Sequence, residues 1–120
     1  MILALDTATP VGSVALYAEE GQVINRYFNV GLQHSQRLFV EIEAALSVAN
    51  VGMEALQAIA VSIGPGSFTG LRIALSAAKG LCLAADKVLV TVSTLETLAA
   101  RLPFACLPVC AVLGARTCHA

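Results

Sequence analysis

A chain of 120 residues suits a single domain, and folding at this size removes roughly two-thirds of the chain's surface from water. Hydrophobic residues make up 58% and charged residues 12%, against a usual charged share of about 25%, so apolar surface is expected to remain for a partner. A formal net charge of −1, with Lys and Arg scattered, excludes the basic stripe that neutralises nucleic-acid phosphates.

From the N-terminus, Ile2 to Leu5 is an unbroken apolar run, as expected of a strand buried on both faces, and it stops at Asp6. No basic n-region precedes it, so no signal peptide is read and the cytoplasm is the expected location. After the turn-rich Thr7-Ala8-Thr9-Pro10, Ser13 to Tyr17 alternates. Glu19-Glu20-Gly21 then turns the chain into a third strand, Val23 to Val30. Short connections imply an antiparallel meander. From Ser35 to Ala49, Leu38, Phe39, Ile42, Ala45, Leu46 and Ala49 follow the 3.6-residue period, with Gln36, Arg37, Glu41 and Glu43 on the polar side, and Asn50 and Gly52 end this helix.

Ala58 to Ile63 reads as a buried strand closing at Gly64-Pro65-Gly66, and Ser67 or Thr69 is placed to cap a helix from Gly70 to Ala85. That helix is apolar except for Arg72, Ser76 and Lys79, one narrow stripe, and its row Ala77, Gly80, Ala84 is small enough for another helix to approach. Because Lys79 interrupts it, no apolar run is expected to span a bilayer. Val88 to Val92 is a fifth strand, Thr94 to Arg101 a helix, and Leu107 to Val112 a last strand. Cys82, Cys106, Cys110 and Cys118 form no CxxC pair and read mostly as core filler.

This order predicts an α/β domain: a mixed five- to six-stranded sheet, an antiparallel β-meander followed by parallel strands, with helices on both faces. It is the pattern of ribonuclease H-like and actin-like (ASKHA) domains. The chain stops soon after the last predicted strand, as a part of a longer protein would.

The sharpest chemical feature is the loop Gly64-Pro65-Gly66-Ser67-Phe68-Thr69-Gly70-Leu71-Arg72. A strand-to-helix loop offers backbone N–H groups and a positive helix end to an anion. No Lys-Ser/Thr follows its glycines, and its spacing is one residue too long for GxGxxG, so a sharp, capped turn is the preferred reading, with Arg72 at a surface or interface. Asp6 and Thr7 form a possible degenerate phosphate hairpin, for which an Asx or Ser/Thr turn is the plainer account. With only His34 and His119, neither HExxH nor HxxxH exists here, and no metal site is predicted.

Taken together, Asp6-Thr7 after a strand, Gln33-His34-Ser35 before the first helix, and the run from Gly64 to Ile73 continuing through Ser76, Lys79 and Gly80 resemble the TsaB (YeaZ) family. The resemblance extends from Ile2 to about Val112. It implies two similar actin-like domains, residues 1–120 forming the first, with the second absent from this chain. It further implies a non-catalytic scaffold without cofactor, working beside the transferase TsaD in threonylcarbamoyl modification of the tRNA adenosine next to the anticodon. The small ATPase TsaE would join the complex, tRNA would be met only through it, and the scaffold would form a homodimer when alone. The first two helices would carry the interface, with Leu38, Ile42, Ala45, Ile73, Ala74, Ala77 and Leu81 as contact residues. Gly114-Ala115-Arg116 stands where family members usually carry Asp-Ala-Arg. The alternative is an ATP-binding enzyme of the actin-like superfamily, using Asp6 and the glycine loop.

Overall fold

The computed structural model of the chain describes residues 1–30 and 34–114. Gln33, Ala115, Arg116, Cys118 and His119, which entered the sequence reading, lie outside the described residues.

Five strands form one sheet in the order β3-β2-β1-β4-β5. β1 (Ile2–Asp6), β2 (Val11–Ala18) and β3 (Gly21–Asn29) make the antiparallel meander, and β4 (Ala58–Ser62) and β5 (Val88–Val92) add in parallel beside β1. Between β3 and β4 runs α1 (His34–Ala49) and between β4 and β5 runs α2 (Phe68–Ala85). Both crossovers advance the same way along the sheet, so a right-handed connection puts both helices on one face. Leu3, Leu5, Val14, Leu16, Phe28, Ile59 and Val61 line that face and build the core with Leu38, Ile42, Ala45, Ala74, Ala78 and Cys82 of the helices. The short helix α3 (Thr94–Ala99) flanks the opposite face.

Helix ends follow local chemistry. Ser67 caps α2 by accepting from the Gly70 N–H at 3.2 Å, and both long helices end on a left-handed residue, Asn50 after α1 and Asp86 after α2, each with φ of 55°. A single 3-10 turn, Met53–Ala55, precedes β4.

Four sequence expectations need correction. Leu107–Val112 forms no strand: an apolar run has strand propensity, but a strand exists only when a neighbour completes its hydrogen bonds, and none among the described residues pairs with it. α2 is long and apolar enough to cross a membrane by length and composition, Lys79 notwithstanding. Here it lies along β4, β1 and β5 with Gly70, Ala74, Ala77, Ala78 and Cys82 buried. Glu41 is 3% exposed rather than solvated, because Arg26 of β3 reaches it at 2.6 Å and Arg37 at 2.9 Å. Of the cysteines, Cys82 is buried, whereas Cys106 and Cys110 are exposed.

Candidate functional site

Two loops meet where β1 and β4 end. The Asp6 carboxylate accepts from the Ala8 N–H at 2.9 Å, the expected Asx turn. Ser67 then donates its N–H to the Ala8 carbonyl at 2.8 Å, and the buried Thr7 hydroxyl donates to the Gly70 carbonyl. At the far side of the loop, the Gly64 carbonyl accepts from the Thr94 N–H at 2.9 Å. The Gly64–Pro65 peptide is cis.

Two glycines make this closure possible. A Cβ at Gly66 would lie 2.6 Å from the Ala8 carbonyl oxygen, and one at Gly70 would overlap the Thr7 carbonyl oxygen. The glycine loop is therefore pressed against the β1–β2 turn, with Thr7 and Ser67 bonded across the contact and Asp6 bonded within its own turn. Phe68 and Thr69 are exposed at the start of α2, and the Arg72 guanidinium sits 5.4 Å from the Phe68 ring centroid, an exposed cation–π pair. Among the described residues no cluster of three His, Cys, Asp or Glu side chains is placed to hold a metal ion.

The face formed by α1 and α2 separates the nominated contact residues. Leu38, Ile42, Ala45 and Ala74 are at most 3% exposed and Ala77 is 6% exposed, all within the chain's own core. Leu38, Ile42, Ala45 and Ala74 therefore present no surface to a second protein, because the helical period that marked them as apolar marks the side facing the sheet, while Ala77 shows only a small area to the groove between the helices. Ile73 and Leu81 are half-buried. Phe39, Val40 and Val48 of α1 and Phe68 and Leu83 of α2 are exposed instead, beside Arg72, Ser76, Lys79 and Gly80. A groove of about 430 Å³ runs between the helices, floored by Phe39, Ile73 and Ala77 and rimmed by Ser35, Thr69, Arg72 and Ser76. Leu83 was legible in principle, since it continues the polar stripe by a further seven residues from Ser76.

The opposite sheet face is open. Ala4, Ala15 and Ala60 pave its centre, and Tyr27, Ser13, Asp6, Ser62 and Val92 form a cross-strand row at the carboxyl ends of β1, β4 and β5. Nearby, Thr94 is buried with its hydroxyl unpartnered.

Comparison with known proteins places this architecture. The family described as TsaD: tRNA N6-adenosine threonylcarbamoyltransferase matches residues 29–120. The tRNA threonylcarbamoyladenosine biosynthesis protein TsaB of Escherichia coli is 39% identical over 99 residues, 82% of this chain and 42% of that protein. The chain belongs to the TsaB (YeaZ) family. YeaZ from Pseudomonas aeruginosa superimposes with a TM-score of 0.78 at 40% identity, over 84% of this chain and 47% of that one. RuvC of Thermus thermophilus, with a TM-score of 0.58 at 13% identity over 82% of this chain and 67% of its own, shares the fold alone. The ribonuclease H-like, actin-like class read from the element order is thus the observed one. Against its curated TsaB relatives, the chain spans somewhat under half of their length.

Proposed function

We propose that the chain acts in the biosynthesis of threonylcarbamoyladenosine on tRNA as a non-catalytic scaffold, the first of two actin-like domains, bound to a TsaD-type transferase through the outer surfaces of α1 and α2. The observation that carries the scaffold reading is the closed glycine loop. The Ser67 N–H donates to the Ala8 carbonyl and the Gly70 N–H to the Ser67 hydroxyl, so two of the donors that a phosphate at this helix start would call on are already engaged within the chain. The name carried by the E. coli relative supplies the pathway. The exposed apolar side chains on α1 and α2 supply a docking surface. TsaE joins this assembly, tRNA is met through it, a homodimer forms when the transferase is missing, and the cytoplasm is the site of action.

Light scattering after gel filtration, on the chain alone and mixed with TsaD from the same cell, tests this. The expected result is a one-to-one mixed complex. A folded chain that elutes apart from TsaD at tens of micromolar overturns the assignment of the interface to this domain.

A second reading draws on Asp6, half-exposed at the carboxyl end of β1 on the open face, where doubly wound sheets hold ligands. It makes the chain an ATP-binding domain. Saturable micromolar binding of magnesium-ATP in calorimetry would promote it, and silence up to millimolar nucleotide would dismiss it.

A further inference from the structure

We infer that this chain carries a contact for a second copy of itself at the edge of its sheet, away from the outer surfaces of α1 and α2. β5 takes residues 109–113 of the other copy as a sixth strand and gives its own in return. The inference is independent of the role proposed above.

β5 (Val88–Val92) closes one side of the sheet. The outward N–H and C=O groups of its backbone therefore lack a ladder partner among the described residues, and such a row is a template for another strand. Its sequence VLVTV holds no charge, glycine or proline, and Val88 and Val90 are 63% and 42% exposed. The charges just before it, Asp86 and Lys87, are of opposite sign, and Lys87 is turned to the Glu54 carbonyl at 3.4 Å. The other edge strand, β3, is defended. Its Arg26 reaches inward to Glu41, and a register shift interrupts its ladder with β2, two devices that discourage pairing.

The donor lies in the same sequence. Residues 109–113, VCAVL, match β5 in length and in uncharged, β-branched character, and no charged residue occurs between Arg101 and Gly114. Val109 is 40% and Val112 76% exposed, and no backbone–backbone hydrogen bond ties residues 106–114 to any other described residue. Handedness keeps the chain from laying this segment in parallel beside its own β5. α2 crosses from β4 to β5 on the core face, whereas α3 leaves β5 over the open face, so a further parallel strand outside β5 would need a left-handed crossover, which sheets almost never contain. A strand from a second copy is under no such constraint. Each copy holds one edge and one donor, so exchange in both directions gives a two-fold dimer.

The test is amide hydrogen exchange of the whole chain at about 5 µM and about 200 µM, with sedimentation alongside, for the unaltered chain, for Val90→Lys at the edge and for Ala111→Pro in the donor. Both positions lie outside the buried core, and urea unfolding confirms that each variant is folded. The expected result is a dimer at the higher concentration, with the amides of β5 and of residues 109–113 exchanging about tenfold or more slowly, and loss of that slowing in both segments for either variant. Slowing of β5 that survives Ala111→Pro makes β5 of the second copy the occupant and overturns the inference. Slowing of both segments that is equal at the two concentrations means that the chain pairs with itself, and overturns it too. Unchanged exchange in both segments at the higher concentration does the same, whether the chain stays monomeric or associates through its helices alone.

Discussion

Gly70 and Gly80 lie in the same helix yet differ in what surrounds them. A methyl group at Gly70 would overlap the Thr7 carbonyl oxygen, while at Gly80 it would meet open space. Gly70→Ala should therefore cost about 1–3 kcal/mol by forcing the two loops apart, whereas Gly80→Ala should stabilise the chain by up to about 1 kcal/mol through helix propensity. Urea unfolding of the two variants side by side measures the contrast, and equal effects would refute the account of the loop. Cys82 allows a second prediction at this scale. Burial pushes its thiol up from the ordinary 9.0, so it stays protonated at pH 8 and reacts with Ellman's reagent only after unfolding, while Cys106 and Cys110 react in the folded chain. The sign for stability follows: the unfolded thiol ionises first, so stability present below pH 9 falls as pH climbs toward the raised folded value.

Between elements, the ion triad of Arg26, Glu41 and Arg37 fixes α1 against β3. The carboxylate side chain is 4% exposed and the arginines are 38% and 54% exposed, so removing the acid leaves two cations that water can solvate. Glu41→Gln should cost about 1–2 kcal/mol in thermal or urea unfolding, less than the 3–5 kcal/mol typical when a buried charge loses its partner. Arg26→Ala, which leaves the carboxylate buried with one partner, should cost at least as much. The sequence displayed Glu41 as one of four polar residues on an amphipathic helix. Its difference from Glu43 lies wholly in Arg26, which comes from another element and is fifteen residues away.

Across the whole molecule, the core ends with α3. Beyond it Leu102 to Cys110 are exposed, and no described residue past Thr94 belongs to the buried set. Trypsin is expected to cut after Arg101 early, leaving residues 1–101 with an unfolding midpoint within about 2 °C of the intact chain. A larger fall would mean that the extended segment contributes to the core. The docking surface belongs to this scale too. Ala77→Arg would force a guanidinium into the packed floor of the groove between α1 and α2 and destabilise the domain, so it would not report cleanly on association. Phe39→Glu and Leu83→Glu, on exposed positions, should weaken the TsaD complex tenfold or more while leaving the midpoint unchanged.

By itself the sequence determined the order of elements, all five strands to within a residue or two, the caps at Ser67 and Asn50, and the family. Each of these is written locally, in hydrophobic period, turn chemistry and a long glycine motif. Tertiary structure alone decided which side of each helix faces the sheet, burying Leu38, Ile42, Ala45 and Ala74 and leaving Phe39, Val40 and Leu83 exposed for the docking surface proposed above. It also decided that Leu107–Val112 stands unpaired, and that the glycine loop closes on Thr7 and Ala8. The physical reason is common to all three. Whether an apolar or polar group is satisfied depends on what another segment brings to it, and that segment is distant in the chain.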